Sequence, residues 1–174
     1  MSVWEAIQSK RAVRHFSDQP LSDEVIERIL HAGRRAQSSK NTQPWDFIVV
    51  RDRERLEALS KTGAYLAPVA RAQMCIAIVT PNVAPEDANW IAFDAGQCAA
   101  YMQLAAQELG VGSVIGAVHF PEEARGVLRL PADKRVDAVI SFGYPAPSEQ
   151  GPLRAGGRRP LAEMVHWETW QEKP

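Results

Sequence analysis

Apolar residues recur along this chain at two spacings, one typical of helices and the other of strands. A spacing of three and four positions predicts five helices, over residues 3–10, 21–36, 52–61, 86–109 and 122–130. Short apolar runs predict four strands, over residues 45–51, 73–80, 111–118 and 136–144. Two helices followed by strands that alternate with helices indicate a layered α/β or α+β domain. The pattern leaves strand order and direction open.

Polar residues at the predicted helix ends support these boundaries. Ser2 and Glu5 have the S-x-x-E spacing of a capping box, and Ser22 can cap the second helix. Small and apolar residues such as Cys98 and Met102 recur along one face of the long helix 86–109, which favours a central helix or a dimer-interface helix. Gly110 is expected to end it.

Length and charge narrow the functional classes. The chain has 174 residues, which we assign to a single domain, 1–174, and its net charge is −1. Such a balance gives no general attraction to nucleic acid or to a membrane surface. We found neither an apolar run of membrane-spanning length nor a leader-like start, and therefore expect a cytoplasmic protein. The two cysteines, Cys75 and Cys98, lie in apolar surroundings without metal-ligand spacing, so we expect both to be buried and no metal to be bound.

Three cations follow the first helix closely: Lys10, Arg11 and Arg14. Cations near a helix C-terminus are often purely structural, because they meet the negative end of the helix dipole. The alternative is a site for a phosphate or another anion, since arginine can bind phosphate oxygens bidentately.

Two further polar segments could bind a ligand. The segment 37–44 is dense in hydroxyls and amides, including Ser38, Ser39 and Asn41, and is either a solvated loop or a set of donors and acceptors for a polar ring edge or a sugar chain. Arg158 and Arg159 follow two glycines and form either a charged linker or a second clamp on the same anion.

Several familiar catalytic patterns are absent from the sequence. The run Gly110–Gly116 superficially resembles a dinucleotide fingerprint, but a helix precedes it and a strand follows, which is the reverse of the required order. The four histidines are scattered and no G-x-S-x-G elbow exists, so we name no catalytic side chain.

Taken together, the motifs resemble the nitroreductase family of FMN enzymes over nearly the whole chain. Residues 10–16 are similar to that family's R-R-S-x-R-x-F element, and residues 37–45 to its P-S-x-x-N-x-Q-P-W loop. The long helix ends in Leu109-Gly110-Val111-Gly112-Ser113, and Arg158-Arg159-Pro160-Leu161 is similar to the family's R-K-P-L ending.

The resemblance implies an α+β fold of the FMN-dependent nitroreductase type, with a central mixed β-sheet flanked by helices and an intertwined homodimer holding FMN at its interface. It implies that Lys10, Arg11 and Arg158, with Arg159 beside it, contact the phosphate or ribityl chain, and that Arg14 lies near the pyrimidine end. Ser38, Ser39 and Asn41 would reach the flavin of the partner subunit. Ile115 and Gly116 would pack near the ring.

Two residues depart from the family pattern. Lys10 replaces the usual arginine, which keeps the positive charge but loses the ability to bind a phosphate bidentately. Ala12 replaces the usual serine, so it could offer only its backbone N–H to the flavin. The chain also has little room for the extra helical excursion of larger relatives, so we expect an open site with weak selectivity.

The implied activity is hydride transfer from NAD(P)H through flavin N5 to nitroaromatics or quinones, with ping-pong kinetics. Other hypotheses remain: a family member with specialised flavin chemistry, such as a flavin reductase or dehalogenase, or a module that stores FMN without turnover. A small DNA-binding domain is disfavoured by the near-neutral charge. The sequence chooses neither NADH nor NADPH.

Overall fold

The computed structural model describes residues 1–149 and 157–170. The helices are α1 (Val3–Ser9), α2 (Asp23–Arg34), α3 (Arg53–Ser60), α4 (Pro85–Glu108), α5 (Pro121–Leu128) and α6 (Leu161–Met164). The strands are β1 (Asp46–Val50), β2 (Met74–Pro81), β3 (Gly112–Ala117) and β4 (Lys134–Gly143). All five predicted helices and all four predicted strands are present, with bounds that agree to within two residues.

The four strands form one sheet in the order β1-β2-β4-β3, and each neighbouring pair is antiparallel. The α+β class is therefore confirmed, but the implied mixture of strand directions is not found among these four strands. Within the described residues, the parallel pairing is one isolated bridge between Ala12 and Ser113. The segment after α1 runs along β3 for too short a distance to become a strand.

The sheet is covered by helices on both faces. Along β2, Ile76 packs with α2 and α4, while its neighbours Cys75 and Ala77 pack with α3 and α5. This alternation is what the two-residue period of a strand requires. Every residue of β2 except the last is buried, which explains its unbroken apolar run. Both cysteines are buried as expected, and burial raises the pKa of the Cys98 thiol to about 12.

The predicted helix ends are confirmed by their hydrogen bonds. The Ser2 N–H donates to Glu5 Oε2 at 2.6 Å and the Glu5 N–H to Ser2 Oγ at 3.2 Å, completing the capping box. Ser22 Oγ accepts from the Val25 N–H at 3.3 Å. Gly110 has a φ of +72°, a conformation that favours glycine, and it turns the chain from α4 towards β3.

The inward face of α4 is more polar than its periodicity predicts. Cys98 and Met102 are fully buried, but Asp94 and Gln103 are buried beside them. Trp90 and Phe93 are exposed and contact each other edge to face. Within the described ranges, no helix combines the length and apolar character that crossing a bilayer needs.

Candidate functional site

The basic segment after α1 lies directly against β3. The Val13 N–H donates to the Ser113 carbonyl at 3.1 Å, next to the bridge between Ala12 and Ser113. The approach is close, because a Cβ on Gly112 would lie 2.7 Å from Val13 side-chain atoms. Backbone pairing therefore places Lys10, Arg11 and Arg14 beside the strand that carries Ile115 and Gly116.

A cleft of about 650 Å³ opens beside this strand. The predicted residues Arg14, Ile115 and Gly116 line it together, with His15 from the basic segment. The segment 64–71, which includes the 3₁₀ turn Ala67–Arg71, also lines it. The structure thus brings together one predicted cation and the two predicted ring-packing residues.

Residues 62–66 form a rim that is fastened to the chain after β3. The Thr62 carbonyl accepts hydrogen bonds from the His119 and Phe120 N–H groups at 2.8 and 2.9 Å. The Ala64 N–H donates to His119 Nδ1 at 3.1 Å. A Cβ on Gly63 would collide with the Ala117 carbonyl oxygen, so this close approach requires glycine. The rim is therefore held in one position by backbone contacts.

Gly116 lines the cleft and lies close against the side chain of Leu66. A Cβ there would collide with Cδ2 of Leu66, which is fully buried and has little room to move. The adjacent Ile115, on the edge strand β3, is a large aliphatic residue and is 43% exposed. A planar, partly apolar ligand could rest on this surface.

The charge of the cleft favours an anion. Arg14 and Arg71 line it, and among the described residues no carboxylate does. Burial lowers the pKa of Lys10, and the nearby positive charge of Arg14 lowers it further. Lys10 is thus half-buried next to a like charge, an arrangement that a bound anion would relieve.

The predicted polar loop lies elsewhere, against α4. The Ser39 N–H donates to Asp94 Oδ2 at 2.9 Å, and Gln37 Nε2 donates to Gln97 Oε1 at 2.8 Å. Lys40, Asn41 and Gln43 all have φ values near +50°, although none is glycine. Backbone strain of this kind is often found at functional sites. Ser38, Ser39 and Asn41 do not line the cleft of their own chain.

The two predicted C-terminal cations lie outside the cleft of their own chain. Arg158 and Arg159 are exposed and precede α6, and neither lines the cleft. The first glycine before them, Gly156, lies outside the described residues. A second cleft of about 660 Å³, between α2 and β1, contains none of the predicted site residues.

The sequence analysis did not identify the cleft residues of the segment 64–71, which include Tyr65, Pro68 and Arg71. These residues stand between a helix and a buried strand in a stretch without a recognisable motif. One signal was available, because Arg71 is a cation three residues before the buried strand β2.

Comparison with known proteins identifies the family to which the chain is similar. A model described as the nitroreductase family matches residues 7–74 and 61–144. The chain is 34% identical over 169 residues to an NADH dehydrogenase/NAD(P)H nitroreductase of Archaeoglobus fulgidus, covering 94% of this chain and 96% of that protein. It is 28% identical to an FMN reductase [NAD(P)H] of Bacillus subtilis, covering 97% of this chain and 74% of that one.

A solved structure gives the same result in three dimensions. A nitroreductase of Desulfovibrio desulfuricans, crystallised in complex with FMN, superimposes with a TM-score of 0.81 at 31% identity, covering 98% of this chain and 99% of that one. The fold, the order of the motifs and the family match agree. The chain therefore belongs to the nitroreductase family.

Proposed function

We propose that the chain is an FMN-dependent oxidoreductase that uses NAD(P)H to reduce small electrophiles such as nitroaromatics or quinones. The observation that carries this proposal is the cleft, which is lined by Arg14, Arg71 and the exposed aliphatic side chain of Ile115. The names of the similar proteins support it, because they include an FMN reductase, an NAD(P)H nitroreductase and a nitroreductase complex with FMN.

The residues present fit FMN. Lys10 and Arg11, with Arg158 and Arg159, would hold the phosphate and ribityl chain, and the half-buried Lys10 would gain a counter-charge. Arg14 would sit near the pyrimidine end of the ring, where a cation favours negative charge on the reduced flavin. The Ala12 N–H would face the flavin, and Ile115 and Gly116 would support the ring.

FMN, when bound, would supply the two-electron chemistry that links NAD(P)H to the acceptor. The protein supplies position, charge and shelter from water. Hydride transfer itself needs no side chain of the protein to act as an acid or base. One cleft serving two substrates in turn implies ping-pong kinetics.

We further propose that the protein works as a homodimer. Trp90, Phe93 and Tyr101 are exposed along α4, and α1, which packs against α4, exposes Val3, Trp4 and Ile7. Burying such apolar area against a second copy would be favourable. The loop with Ser38, Ser39 and Asn41 is attached to α4 next to this face, so a second copy would bring it towards the partner's cleft.

The test is the absorption spectrum of the purified protein, recorded without oxygen before and after addition of NADH or NADPH. A flavin spectrum that bleaches and then returns on addition of a nitroaromatic or quinone supports the proposal. Bound FMN that neither nicotinamide bleaches would contradict reductase activity and favour storage. Failure to bind added FMN would overturn the proposal entirely.

A further inference from the structure

Two side chains from the segment 64–71, Tyr65 and Arg71, line the cleft and take no part in the proposed FMN contacts. Tyr65 is 78% exposed, yet it lines the cleft from the rigid rim. Arg71 lines the cleft from the last position of the 3₁₀ turn Ala67–Arg71. An exposed aromatic ring and an exposed guanidinium on one segment are suited to an aromatic ligand that bears a negative charge.

Tyr65 is held in place by its neighbours on both sides. The preceding N–H, of Ala64, donates to His119 Nδ1, and the following N–H, of Leu66, donates to the Gly63 carbonyl at 3.2 Å. The His119 ring meets the Tyr65 ring edge to face, with centroids 6.2 Å apart. The phenol ring is therefore presented by a fixed backbone, at little entropic cost to a ligand.

The base of Arg71 is fixed as well. The Ala72 N–H closes the turn on the Val69 carbonyl at 3.2 Å, and Arg53 Nη2 donates to the Ala72 carbonyl. Val69 and Ala72 are buried, whereas the side chain of Arg71 is exposed. Arg71 thus projects from an anchored backbone.

The cations of the cleft come from two separate elements. Arg14 belongs to the segment paired with β3, whereas Arg71 belongs to the segment 64–71. Pro68 and Ala67 add apolar surface on the side of Arg71. One element can hold the cofactor while the other remains available to the second ligand.

We propose that Arg71 and Tyr65 form an acceptor subsite that selects planar aromatic acceptors carrying a carboxylate. Arg71 binds the carboxylate, and Tyr65 covers the aromatic ring. The proposal rests on the proposed function, because it places the acceptor in the same cleft as FMN.

The experiment compares 4-nitrobenzoate with its neutral analogue 4-nitrobenzamide in the FMN-loaded protein. We measure kcat/KM for both acceptors in the unaltered protein, Arg71→Gln and Arg71→Lys. Arg28→Gln serves as the matched control, because it removes the same charge from a surface position on α2 that does not line the cleft and ion-pairs with Glu108 at 3.9 Å. Calorimetric titration with unreactive benzoate and benzamide gives a second readout that does not depend on turnover.

We expect Arg71→Gln to lower the nitrobenzoate-to-nitrobenzamide ratio of kcat/KM about tenfold, as the loss of one charge-assisted hydrogen bond implies. Arg71→Lys should keep part of the preference, and Arg28→Gln all of it. The benzoate affinity should fall in parallel with the kinetic ratio. Added salt should weaken benzoate binding more than benzamide binding.

An unchanged ratio in Arg71→Gln would overturn the proposal. If both rates fell together with weaker FMN binding, Arg71 would be a cofactor contact instead. Failure of the proposed function is recognised separately, because the unaltered protein would then bind no flavin or would reduce neither acceptor.

Discussion

The cleft beside β3 and the loop 37–43 are built in opposite ways. The cleft is made by backbone pairing and by glycines that allow close approach, as at Gly63 and Gly112. The loop contains no glycine, yet three of its residues adopt left-handed conformations. It is tied to α4 through the buried carboxylate of Asp94, which is 4% exposed.

This difference bears on the proposal that the cleft of one copy and the loop of another form one FMN site. Packing within one chain is sufficient to shape the cleft. Each left-handed residue of the loop costs about 1–3 kcal/mol of backbone strain. The resulting conformation does not contribute to the cleft of the same chain. Such strain is understandable if the loop is shaped for a ligand held mainly by a second copy.

The largest expected effect is on the stability of the cleft. Gly63→Ala places a methyl group against the Ala117 carbonyl oxygen and should destabilise the protein by about 1–3 kcal/mol. Gly126→Ala in α5 has open space around the new methyl group and should stabilise by about 0.5–1 kcal/mol. Urea unfolding of both variants measures the difference, and equal free energies of unfolding would show that the rim is not held as described.

The second prediction concerns the loop. Asp94→Ala removes the acceptor of the Ser39 N–H and should weaken FMN binding about tenfold by releasing the loop. Asp94→Asn keeps an acceptor oxygen and should recover most of the affinity. Hydrogen exchange at residues 37–43 should quicken in Asp94→Ala but not in the control Asp87→Ala, at an exposed position on the same helix. Unchanged exchange in Asp94→Ala would show that Asp94 does not hold the loop.

The smallest prediction uses the pKa of Lys10, which burial and Arg14 hold below its ordinary value of 10.5. Below the folded pKa, the buried charge costs stability, and the stability recovers as pH rises towards 10.5. At pH 7, Lys10→Met should therefore slightly raise the Tm of the FMN-free protein while weakening FMN binding about fivefold. Thermal unfolding measures the expected rise in Tm, and FMN titration measures the expected loss of affinity. A lower Tm of Lys10→Met without FMN would contradict the prediction.

The sequence contained most of the fold because its local signals agree with its packing. Strand β2 is buried on both faces and reads as an unbroken apolar run. The Ser2–Glu5 pair and Gly110 mark helix ends through hydrogen bonds and a positive φ, which depend on neighbouring residues only. Strand directions depend on pairings between distant segments, so the antiparallel order could not be read from periodicity.

The cleft residues that belong to a recognisable sequence motif could be predicted. Arg14, Ile115 and Gly116 were identified from the sequence and line one cleft. Tyr65 and Arg71 were not, because only the folding of residues 62–71 over β3 makes them cleft residues. The sequence analysis also did not identify Asp94 on the inner face of α4. This carboxylate accepts a hydrogen bond from Ser39, which lies more than fifty residues away in the sequence.

The most direct test of the central claim, that FMN is held by the cleft of one chain and the loop of another, is complementation between two defective variants. Arg14→Glu damages the cleft and Asp94→Ala damages the loop, and each alone should bind FMN weakly. The two are unfolded together, refolded as a mixture and titrated with FMN by fluorescence quenching. We predict that tight binding returns, because each mixed dimer contains one site whose cleft and loop are both intact. Weak binding in a mixture shown to contain mixed dimers would contradict a site shared between chains.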